Sequence, residues 1–188
     1  MRSKQVFVVL LMLLVPLSGC IETDESDDDN NVAPSKLEKI PDLTAPNQHG
    51  NNVTLSDMEG TMLVVLLNMG EWCGYCIQAT ENTTSLIQEM EDIDNRYSVS
   101  FVEVLGSNET WNAANQTYAM NWSLQYNTTH SILHSQVAYD YATENIDEGF
   151  PTYWIVDPEG VLRVVSSGVN SITAKDVQEQ YDLFLSEQ

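Results

Sequence analysis

Two cysteines three apart, in Cys73-Gly74-Tyr75-Cys76, are the residues best placed to do chemistry in this chain of 188 residues. Their spacing has a physical meaning if a helix begins at Cys73. Cysteines on one first turn come within the roughly 4.4–6.8 Å Cα separation that a disulfide allows. The first of them also meets the positive end of the helix dipole and unpaired backbone N–H groups. Both favour thiolate over thiol and lower its pKa from about 8.5. Cys73 is then the exposed nucleophile. Cys76, one turn in and more buried, resolves the mixed disulfide. Two other readings are weaker. Half of a zinc site needs a second pair of ligands, and His130 and His134 lie far downstream. A purely structural disulfide across four residues would constrain the unfolded chain little.

Several elements must position this pair. Met62–Leu67 is six apolar residues in a row, as expected of a strand buried on both faces. From Cys73 to about Asp92, Leu86, Ile87, Met90 and Ile93 follow helical spacing. Val99–Leu105 reads as a second long strand. Leu43 and Val53/Leu55 are short strand candidates around the turn-rich His49–Asn52. Trp111, Asn115, Tyr118 and Trp122 would share one face of a helix from Glu109 to about Trp122. A weaker helix covers Gln136–Asn145. Tyr153–Val156 and Val161–Val165 read as a hairpin across Asp157-Pro158-Glu159-Gly160, with Pro second and Gly fourth. Thr173 and Asp176 give a capping-box start to a final helix with Ala174, Val177, Tyr181 and Phe184 as its apolar stripe. Parallel strands joined through helices, then a hairpin and a closing helix, predict a three-layer α/β domain with a central mixed sheet and an N-terminal β extension.

Charge excludes other classes. Against 28 acidic residues stand 7 basic ones, a formal net charge of −21. Nucleic-acid binding needs a basic footprint, and so does docking on anionic lipid by charge. Three cysteines cannot build a disulfide framework. The N-terminus reads separately from the domain. Arg2 and Lys4 precede the apolar run Val6–Val15, too short to span about 30 Å of hydrocarbon comfortably. Basic start, apolar run and small residues read as a secretory signal. Glu22–Asn31 holds six acids in ten residues, a self-repelling spacer. Six Asn-x-Ser/Thr sequons, at Asn52, Asn82, Asn108, Asn115, Asn121 and Asn127, suit an exported chain that meets a glycosylation system. They suit an Asn- and Thr-rich composition equally.

Two resemblances sharpen the reading. Leu17-Ser18-Gly19-Cys20 resembles a lipobox, where prokaryotic lipoproteins are cut before a lipid-modified cysteine. It implies a signal peptide over 1–19, lipid on Cys20, an acidic flexible spacer over 20–39 and a domain over 40–188. The mature chain then keeps 28 acids against 5 bases, or −23. Trp72-Cys73-Gly74-Tyr75-Cys76 after a buried strand, with Gly149-Phe150-Pro151-Thr152 before a later one, resembles the thioredoxin superfamily. Pro41-Asp42-Leu43, Val53–Asp57 and Ile155–Gly160 narrow it to TlpA-like, membrane-tethered thiol-disulfide oxidoreductases and related redoxins.

That resemblance implies catalysis by Cys73 and Cys76, a cis Pro151 beside their disulfide, and substrate contacts from Trp72, Gly74, Tyr75, Phe150 and Pro151. It implies no organic cofactor and no metal. Partners would be exported thiol or disulfide proteins, apocytochrome c among them, and a membrane redox donor or acceptor. The protein would sit lipid-anchored on the extracytoplasmic side of the cell membrane. Many relatives carry a buried Asp, Glu or Asn six residues before the first cysteine. Leu67 stands there here, with Asn68 beside it and Glu103 as a distant acid. Alternatives are a copper-handling or assembly chaperone, and a redoxin-type thiol peroxidase. The latter is disfavoured because Gly70 stands where a peroxidatic Thr-x-x-Cys would have threonine.

Overall fold

The computed structural model describes residues 31–32, 38–93, 97–146 and 149–188. The expected signal peptide, Cys20 and the acidic run up to Asn30 lie outside the described residues. The elements are β1 (Asn31–Val32), β2 (Thr44–Pro46), β3 (Asn52–Thr54), β4 (Met62–Asn68), α1 (Gly74–Asp92) and β5 (Val99–Leu105). There follow α2 (Gln116–Gln125), β6 (Ser131–Leu133), α3 (Gln136–Glu144), β7 (Thr152–Val156), β8 (Leu162–Ser167) and α4 (Ala174–Ser186).

One six-stranded mixed sheet runs in the order β1-β8-β7-β4-β5-β6. β4 pairs parallel with β5 and antiparallel with β7. All seven residues of β4 are buried because both faces are covered. Leu63, Val65 and Leu67 join an apolar cluster with Ala138, Tyr141 and Ala142 of α3 and Ala45 of β2. Met62, Val64 and Leu66 alternate to the other face. They meet Leu86 and Met90 of α1 and Ala174 and Val177 of α4. Each buried Leu or Val contributes about 1.5–3 kcal/mol. This is the expected three-layer thioredoxin fold. The expected N-terminal extension is the separate β2–β3 hairpin. The capping box forms at Thr173 and Asp176.

Three features differ from expectation. The sheet reaches into the segment read as flexible spacer: Asn31 and Val32 pair with Ser166 and Val165, and Lys39 bridges to Val161. Trp111 lies outside a helix. Asn108 Oδ1 accepts from the N–H groups of Thr110 (2.9 Å) and Asn112 (3.2 Å), holding 108–112 as a turn, and such side-chain bonds compete with helix. α2 starts later, where the Asn115 side chain caps it by accepting from Tyr118 N–H. Finally, β6 has only three residues, too few for a visible alternation. Its outer edge is closed by a side chain. The Gln48 amide accepts from Ile132 N–H (2.8 Å) and donates to the His130 carbonyl (3.0 Å).

Candidate active site

The chain leaves β4 through Met69 and Gly70. Gly70 has φ +83°, and a Cβ there would meet the Ser107 carbonyl oxygen at 2.3 Å, so the turn requires glycine. Gly70 N–H donates to Asn68 Oδ1 (2.7 Å). Cys73 is the N-cap of α1, and its sulfur accepts from Cys76 N–H at 3.2 Å. The two cysteines form a disulfide with Cα atoms 5.1 Å apart. Cys76 is fully buried and Cys73 half-buried. When the pair is reduced, that N–H and the helix dipole favour a thiolate at Cys73.

The register Leu67↔Thr152 brings the start of β7 to the end of β4 from which this turn emerges. Pro151 is buried there behind a cis Phe150–Pro151 bond. Phe150 and Cys73 pack against the same cluster, which includes Cys76. Tyr75 is 68 % exposed, and Gly74 has open space where a Cβ would stand.

Trp72, 37 % exposed, is fixed from two sides. Its Nε1–H donates to Ser107 Oγ (2.8 Å), whose own hydroxyl donates to the Met69 carbonyl. Trp111 stacks on it with ring centroids 3.6 Å apart. Tyr118 braces the same turn by accepting Glu71 N–H at 3.0 Å. Burial pushes the Tyr118 phenol up to about 12; the Glu71 N–H bond opposes this and the charges of Glu71 and Glu109 add to it.

Beneath α1 lies a closed polar cluster. Leu67, at the relay position of relatives, points into the apolar face, whereas Asn68 points under the helix. The two protons of Asn68 Nδ2 are shared among the Cys76 carbonyl (3.2 Å), Thr80 Oγ1 (2.9 Å) and Glu103 Oε1 (2.7 Å). The same Glu103 oxygen accepts from Thr80 Oγ1 and Trp122 Nε1, each at 3.0 Å. Its other oxygen meets His130 Nε2 at 3.2 Å, with both side chains almost fully buried. One asparagine amide therefore joins the backbone of Cys76 to a buried carboxylate.

The sequence singles out Asn68 and Glu103 without linking them and gives no sign of Thr80; it reads Trp111 and Trp122 as one helix stripe, whereas Trp122 bonds Glu103 and Trp111 stacks on Trp72. A glutamate inside the apolar strand Val99–Leu105 was the available signal. His130 and His134 flank β6 and share no helix. His134 Nε2 contacts the Asn47 carbonyl (3.1 Å), and burial lowers its pKa below 6.5. Among the described residues no group of three His, Cys, Asp or Glu could hold a metal ion.

A CxxC disulfide at a helix start, on a sheet of this order, is how thiol-disulfide oxidoreductases of the thioredoxin superfamily are built, and this chain falls in that class. More narrowly, residues 37–165 match the AhpC/TSA family, and the chain belongs to it. No curated protein matches. Solved structures of the same fold include the thioredoxin domain of a thiol-disulfide oxidoreductase from Bacteroides vulgatus (TM-score 0.59, 16 % identity, covering 76 % of this chain and 95 % of that one). A secreted thiol-disulfide isomerase from Corynebacterium glutamicum gives 0.58 at 14 %, covering 82 % and 90 %. The peroxidoxin BcpB from Mycobacterium tuberculosis gives 0.54 at 13 %, covering 77 % and 91 %.

Proposed function

We propose that this protein is an extracytoplasmic thiol-disulfide oxidoreductase acting on exported cysteine-containing proteins, tethered to the membrane by lipid on Cys20. One observation carries it: a half-buried Cys73 at a helix N-cap, disulfide-bonded to a fully buried Cys76. On the reducing path the Cys73 thiolate attacks a substrate disulfide and releases one substrate thiol. Cys76 then attacks Cys73 in the mixed disulfide, releasing the second thiol and closing the Cys73–Cys76 bond. A membrane dithiol donor would restore the reduced pair. In the oxidising direction every step reverses. Trp72, Tyr75, Phe150 and Pro151 line the approach, and apocytochrome c is the substrate suggested by the TlpA-like resemblance. No helix among the described residues is long and apolar enough to cross a membrane.

A redox titration of the Cys73/Cys76 pair tests this. A midpoint near roughly −270 mV supports a reductant and one near about −120 mV an oxidant. Absence of a reversible two-electron couple overturns the reading. Membership of the AhpC/TSA family favours a thiol peroxidase as the second reading. Gly70 in place of threonine speaks against it, and peroxide consumption by the purified protein decides.

A further inference from the structure

The turn after β5 carries a feature that neither the fold nor the disulfide requires. Trp111 has φ +64°, a left-handed backbone rare for a bulky residue, yet its side chain is 61 % exposed. The turn holds it there. Asn108 N–H donates to the Asn112 carbonyl (2.8 Å), Trp111 N–H to the Asn108 carbonyl (3.1 Å), and Ser107 bridges Ala113. Strained residues that the surroundings over-determine point to function. One face of the indole covers Trp72, the residue next to Cys73; the other faces solvent.

The charge around it has one sign. Glu109 lies two residues before Trp111 in the same turn, and Glu71 lies one residue before the Trp72 on which Trp111 stacks; both are exposed. The described lysines and arginine are committed elsewhere: Lys39 to Glu59, Lys175 to Glu179, and Arg163 to Asp157 and Glu187. An exposed indole in a turn that also carries an exposed carboxylate, with a second on the neighbouring turn, suits a cation, which gains from the ring quadrupole and from the acids together.

We propose that the outer face of Trp111, with Glu71 and Glu109, docks a lysine- or arginine-bearing segment beside the partner's reactive cysteine. The inference rests on the oxidoreductase reading, because continuity with Cys73 gives the platform its use. Docking there raises the local concentration of a cationic partner's disulfide at Cys73. It leaves the exchange chemistry itself unchanged.

The test uses the reduced full-length chain and three peptides that differ only in the residues flanking one cysteine: lysine, glutamate or norleucine. Each cysteine is joined by a disulfide to a chromophoric aromatic thiol. The Cys73 thiolate attacks the peptide sulfur and releases the aromatic thiolate. Cys76 then displaces the peptide thiol and closes the Cys73–Cys76 bond. The lysine peptide is expected to react about tenfold faster than the glutamate peptide at low salt, with the ratio shrinking as salt screens the charges. Trp111→Gly, which keeps the left-handed turn, and Glu109→Gln should each cut that ratio at least twofold. Lysine and glutamate peptides reacting equally, a fastest norleucine peptide, or ratios unmoved by both variants overturn the platform. A wild-type chain that also fails to reduce a small neutral disulfide overturns the oxidoreductase reading, and the platform with it.

Discussion

The two ends of the sheet hold their buried carboxylates differently. At the end away from the disulfide, Asp157 accepts from the N–H groups of Glu159 and Val161, each at 2.9 Å, and from Arg163 Nε at 2.6 Å. Arg163 also reaches Glu187, and these bonds hold its pKa above the usual value despite partial burial. Every partner of Asp157 is backbone or a permanent cation. Under the disulfide, Glu103 is held by an amide, a hydroxyl, an indole and a histidine that is charged only when protonated. A carboxylate fixed by a permanent cation serves the fold. One whose partners are neutral or titratable leaves its field available to the chemistry above it.

The largest effects separate the ends by activity. Cys73→Ser should abolish exchange, whereas Cys76→Ser should still take the first step and accumulate mixed disulfide, visible on non-reducing gels. Next comes Asp157→Ala. It should cost about 2–3 kcal/mol in urea denaturation, somewhat below a fully buried pair because Glu187 is half-exposed, and leave the midpoint potential in place. Glu103→Gln should do the opposite. The shape is kept, a negative charge near Cys76 is removed, and the reduced state gains, so the potential should rise by about 15–30 mV. A moved potential in Asp157→Ala, or an unmoved one in Glu103→Gln, would erase the contrast. The smallest effect is at His134. Its folded pKa lies below the unfolded value, so its share of stability is full above about pH 6.5 and is lost as pH falls. His134→Gln should flatten that part of the slope when urea midpoints are compared between about pH 7.5 and 5.5.

What could be read in advance followed from local signals. The apolar run of β4, the CxxC spacing and the Thr173–Asp176 cap each state their structure within a few residues. Periodicity misled at Trp111, because four aromatic and polar residues at helical spacing cannot reveal that Asn108 ties up the backbone first. The Glu103–His130 contact joins residues 27 apart through a strand of three residues, and no sequence pattern encodes that pairing. The acid was legible as an anomaly in an apolar strand. Its connection to Cys76 through Asn68 needed the strand alternation that sends Leu67 to one face and Asn68 to the other.

The Gln48 amide that bonds β6 has a consequence for life in a crowd. An open sheet edge offers unpaired N–H and C=O groups to any neighbouring strand. Among the described residues one edge strand has two residues and the other three, and the latter is already occupied on its outer side by a glutamine of the same chain. A foreign strand finds little ladder there on which to add itself as a seventh.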